Sequence, residues 1–72
     1  MIRLKYERLA RGLSQQTVGI VARVHQPTLA LIENERLTPS PAVLGRLART
    51  FGLPPASLLE PVTLADSEAR HG

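Results

Sequence analysis

Three residues, Arg23 to His25, separate two stretches whose apolar side chains recur with a helical period. So short a link forces the two helices to cross steeply. A close crossing needs a small residue where the backbones approach, and Gly19 is placed to serve. Val18, Ala22, Val24, Leu29 and Ile32 then fall at the inward positions. The other face of the second of these helices carries Gln26, Pro27, Ala30, Leu31 and Asn34, and it would stand proud of the domain.

The rest of the chain is punctuated in the same style. A first helix is predicted over roughly 2 to 11, with Ile2, Leu4, Leu9 and Tyr6 as its apolar residues and Gly12 as its stop. Ser14 reads as an N-cap opening a helix over about 15 to 22. The next runs from near Gln26 to near Asn34, with Pro27 tolerated in its first turn. Residues 35 to 40 form a loop. Ser40–Pro41 then caps and starts a fourth helix, whose stripe is Leu44, Leu47, Ala48 and Phe51 and whose end is Gly52. "LPPASLLEP" brackets a short fifth helix between prolines. The expected architecture is all-α, a compact five-helix bundle over residues 1–60 with a C-terminal tail at 61–72. No β-alternation or repeat is present.

Composition narrows the function classes. With 72 residues, one small domain is the sensible count. A chain of this size buries only about 60% of the surface it exposes when unfolded, so its stability margin is thin. The hydrophobic content of 43% is enough for a packed core. Without cysteine, neither a disulfide nor a thiolate metal site is possible. His25 sits on a surface turn and His71 in the tail, so no metal cluster is expected and no cofactor is implied. No apolar run approaches the roughly 20 residues of a membrane span. "MIRLKYERLARG" lacks the uninterrupted apolar core of a signal peptide, so the expected location is cytoplasmic. The net charge of +3 is mildly basic. An enzyme is not expected, since His25 has no nucleophile beside it.

One long segment, "GLSQQTVGIVARVHQPTLALIENERLTPS", resembles the helix-turn-helix of the Cro/C1-type (XRE) DNA-binding repressors, whose fold is of the lambda-repressor type. The shared features are Gly-Leu-Ser-Gln, the turn, a helix ending in Glu-Asn, and Pro-Ser shortly after. The likeness runs from about Leu4 to Leu59. It departs from the pattern at Arg23 and Glu35, where glycine is usual, and at Ile20 and Val21, where charge is usual.

The resemblance implies a division of labour. The helix beginning at Gln26 would enter a major groove, which admits one α-helix. Gln26 matches the position that reads a base, and its amide suits adenine. Gln15 would bond a phosphate and brace Gln26, with Gln16 beside it at a helix N-terminus that favours anions. Asn34 and Arg36 match phosphate contacts. Arg8 and Glu33 match an ion pair joining the first helix to the third, with a secondary DNA contact from Arg8. Several readings stay open on the residues alone. Pro27 is a second apolar group on the reading face; Leu31 either meets a thymine methyl or packs on the fourth helix. Thr28 either bonds a base or phosphate or bonds locally. His25 either meets a phosphate or is a surface cap.

One such domain binds weakly, and repressors of this type work as two-fold dimers on palindromic double-stranded operators. Leu58, Leu59, Val62 and Leu64 supply the apolar surface expected to join two copies, unless Leu58 and Leu59 merely close the monomer core. The expected function is a sequence-specific DNA-binding transcriptional regulator, a repressor that occludes a promoter. The alternative is a protein-interaction module or antitoxin of the same fold, using Ile20, Val21, Leu31 and Leu37 to meet a protein partner.

Overall fold

Serine side chains set where two of the helices begin. The structure, a computed structural model, describes residues 1–63. Ser14 Oγ accepts from the Thr17 N–H at 3.0 Å, and Ser40 Oγ from the Val43 N–H at 3.2 Å. Each takes up one of the donors that a first helical turn leaves without a partner. The elements are α1 (Arg3–Ala10), α2 (Gln15–Ala22), α3 (Gln26–Glu33) and α4 (Pro41–Phe51), then a 3-10 helix over Pro55–Leu59. No sheet forms among the described residues, and none of the helices is long and apolar enough to cross a membrane.

All four α-helices stop in the same way. A residue with left-handed backbone follows each one: Gly12, Arg23, Glu35 and Gly52, with φ of 67, 58, 59 and 67°. The next N–H then reaches the carbonyl five residues back. Leu13 donates to Arg8 at 3.1 Å, Val24 to Gly19 at 2.8 Å, Arg36 to Leu31 at 2.9 Å and Leu53 to Ala48 at 3.1 Å. This closure satisfies carbonyls that the last turn would leave bare. Arg23 and Glu35 adopt it with a Cβ present, which costs each about 1–2 kcal/mol of left-handed strain. Arg23→Gly should relieve that strain but lose about 0.4–1 kcal/mol to the freer unfolded chain. A net gain of up to roughly 1.6 kcal/mol follows, a melting point higher by a few degrees for a domain of this size. A lower melting point would show that the Arg23 side chain stabilises the fold by more than its strain.

The expected fifth α-helix is a single 3-10 turn. Its bonds run over three residues: Ser57 N–H donates to the Pro54 carbonyl at 3.0 Å, and Glu60 N–H to Ser57 at 3.2 Å. Pro54 and Pro55 lack N–H groups and Pro61 follows closely, so too few residues remain for a ladder of i→i+4 bonds.

The core is built from Ile2, Leu4, Val18, Ala22, Val24, Leu29, Ile32, Leu47, Ala48, Phe51 and Leu58, with Leu13, Val43, Leu44, Leu53 and Leu59 packed around it. Two sequence expectations are corrected here. Leu9 lies half-exposed at 49%, while Glu7 and Arg8 turn inward in its place. Charged residues occupy that buried face because they find partners there, which a hydrophobic pattern cannot anticipate. Leu58 is fully buried, so it holds the 3-10 turn onto the bundle and offers nothing to a second copy. Leu59 and Val62 are half-buried. Leu64, His71 and most of the expected tail lie outside the described residues. Up to Val62 the chain is tied down. Arg3 N–H donates to the Glu60 carbonyl at 2.8 Å, and Val62 N–H to Met1 at 2.9 Å.

Candidate nucleic-acid interface

The turn between α2 and α3 depends on backbone contact. A Cβ built on Gly19 would lie 2.6 Å from the Val24 carbonyl oxygen, closer than real Cβ atoms come. Glycine at this position therefore lets the two helices meet. Val24 is buried beneath the turn. Arg46 on α4 holds it from the other side: its Nε donates to the Ala22 carbonyl at 3.0 Å and its Nη2 to the Arg23 carbonyl at 3.2 Å. A cation at the C-terminus of α2 also complements the negative end of the helix.

α3 is divided lengthwise. Leu29, Ile32 and Glu33 are buried. Gln26, Pro27, Leu31 and Asn34 are exposed on the opposite side, with Thr28 and Ala30 half-buried between. Leu31 is 44% exposed, so part of its side chain is open to solvent on this face. His25 is exposed at the start of α3 and makes no side-chain capping bond. Gln16 is exposed at the start of α2, and Arg36 in the loop after α3.

Behind this surface lies a chain of side-chain hydrogen bonds crossing three helices. Arg8 on α1 grips Glu33 with both prongs of its fork, Nε to Oε2 at 2.7 Å and Nη2 to Oε1 at 2.9 Å. Its third nitrogen, Nη1, donates to the Leu13 carbonyl at 2.7 Å. The residue is only 8% exposed, so the guanidinium is spent on internal bonds. Gln15 Nε2 donates to Glu33 Oε1 at 3.1 Å, and Gln26 Nε2 donates to Gln15 Oε1 at 2.8 Å. Four residues distant in sequence thus form one connected unit, ending at the exposed tip of α3.

Sequence reasoning missed two arginines that organise the site's support. Arg46 is one. The other is Arg11, whose guanidinium lies 4.8 Å from the Phe51 ring centroid while Nη2 donates to the Phe51 carbonyl at 3.0 Å. Arg46 lies on α4 and Arg11 just past the end of α1, and nothing in their spacing reveals a distant carbonyl. Ile20 and Val21, 71% and 63% exposed, stand on the outer side of α2. Among the described residues no group of three His, Cys, Asp or Glu is placed to hold a metal ion.

Two crossed helices joined by a tight turn, the second with one face bare, define a helix-turn-helix unit. A family model described as a helix-turn-helix domain matches residues 2–60, and the chain belongs to that family. No curated protein and no solved structure matches it.

Proposed function

We propose that this protein is a sequence-specific transcriptional regulator of the Cro/C1 type, a dimeric repressor that reads the major groove of double-stranded DNA with α3. The observation that carries the proposal is the bare edge of α3. Gln26, Pro27, Leu31 and Asn34 point away from a backing of Leu29, Ile32 and Glu33. A groove that accepts one helix accepts this edge, with Gln26 at the end nearest the bases. Exposed Gln16, His25 and Arg36 flank it at the places where phosphates run, and the N-terminus of α2 adds backbone donors. Binding and occlusion suffice for this role, with no catalytic step.

The proposed dimer would use Leu59 and Val62. Leu59 borders a hollow with Leu37 and Pro39, floored by Ile2 and Ile32 and rimmed by Glu35 and Thr38, where a second copy could seat an apolar side chain. Two copies would place their α3 helices in half-sites about 34 Å apart.

Selection of bound duplexes from a random pool tests the proposal. The expected product is a palindrome whose affinity falls steeply as salt rises. Gln26→Ala should then erase the preference at one base pair per half-site, a loss of roughly 5- to 150-fold in discrimination. Unchanged preference would remove Gln26 from the reading surface. A second reading rests on Ile20 and Val21, whose exposure suits a protein partner in an interaction module or antitoxin. Absence of any duplex affinity at low salt would favour it.

A further inference from the structure

We infer that Glu33 and Gln15 are positioning residues that fix the polarity of the Gln26 amide, and that this makes the protein reject guanine at the base pair Gln26 reads. The inference rests on the DNA-reading proposal for Gln26.

At the inner end of this chain of bonds stands a group with no choice of role. An ionised carboxylate only accepts hydrogen bonds. The Glu33 carboxylate is fully buried and held by the Arg8 fork at 2.7 and 2.9 Å. Gln15 reaches the same carboxylate at 3.1 Å, so it must present its NH₂ there. An amide has one oxygen and one nitrogen, so the Gln15 oxygen is then turned toward Gln26. Only the Gln26 NH₂ can meet that oxygen, at 2.8 Å. Each choice is forced by the one before it, from the buried ion pair outward to the surface.

Two consequences follow for Gln26. One of its two N–H protons is committed to Gln15. What remains to face DNA is a single N–H and an acceptor oxygen in fixed order. That pair matches adenine, which offers N7 as acceptor and N6–H as donor. Guanine offers two acceptors, N7 and O6. A free glutamine would turn its NH₂ to serve them, but the tethered one would set its oxygen against O6. The tether is thus a repulsive element against the wrong base as well as a support for the right one.

The test uses duplexes carrying adenine or guanine at the position that Gln26→Ala identifies. Gln15→Met removes the relay while leaving the Arg8–Glu33 pair in place. It is expected to lower the adenine-over-guanine ratio about tenfold, the scale of one bidentate base contact. Loss of a phosphate bond from Gln15 would weaken both duplexes equally and leave the ratio untouched. In the free protein, nitrogen relaxation of the Gln26 side-chain amide should show it ordered in the parent and mobile in Gln15→Met. Glu33→Gln, studied well below its melting temperature, should lower the ratio as well, because an amide at 33 no longer dictates the polarity of Gln15. A ratio unchanged in Gln15→Met while Gln26→Ala abolishes it would overturn the relay and leave the readout standing. A Gln26→Ala variant that keeps its preference would end both.

Discussion

Glu33→Ala is expected to cost about 3–5 kcal/mol, because it strands the Arg8 guanidinium in a nearly closed site. For a domain of 60–100 residues each kcal/mol moves the melting point by about 4–8 °C, so the fall should exceed roughly 12 °C. Arg8→Ala should do similar damage from the other end, leaving a carboxylate with no surface of its own. The pair itself is a different matter. Replacing both partners with apolar side chains of similar volume, Arg8→Met with Glu33→Leu, should restore much of the loss, since neither charge then needs a partner. Thermal melts of the three variants provide the check. Single variants that melt within a degree or two of the parent would mean that the pair is solvated and contributes little.

Leu58→Ala should have the second largest effect. Leu58 has no exposed surface and anchors the 3-10 turn to the core, so truncation should cost about 2–5 kcal/mol. The diagnostic is concentration. A residue that stabilises one copy gives the same loss at every protein concentration, whereas an interface residue acts through association and its effect varies with dilution. Denaturant titrations of Leu58→Ala and parent at two concentrations a hundredfold apart separate these cases. A loss that grows or shrinks with dilution would return Leu58 to the interface.

The fold was readable from the sequence wherever a local signal decides. Ser14 and Ser40 cap the helices that their positions announced, and Gly12 and Gly52 end helices as left-handed residues. The short link from Arg23 to His25 called for a close approach of two helices, and Gly19 stands at it. The signal failed where distant partners decide. Glu7 and Arg8 are buried because of what they bond, and Leu9 is left outside in consequence. The proline-bounded segment has an apolar content that reads as a helix, yet it lacks the residues to close i→i+4 bonds. Leu58 and Leu59 are adjacent and chemically identical, and only the docking of the turn sends one inward.

The site shows the same split. Periodicity alone exposes the Gln26 edge of α3. Nothing in spacing pairs Arg8 with Glu33 across 25 positions, or Gln15 with Gln26; the likeness to a known family pointed to both. Spacing does not reveal Arg46, because its role is to bond the last carbonyl of α2 and that of the Arg23 cap beyond it.

The lengthwise division of α3 bears on how such proteins diversify. Its anchoring contacts run through Leu29, Ile32 and Glu33, while Pro27, Leu31 and Asn34 face outward. If α3 reads DNA as proposed, copies of the gene that drift at those three codons could acquire new targets while keeping the contacts that hold the helix to the core. Position 26 is less free to drift, since its side chain answers to Gln15 as well as to its proposed base.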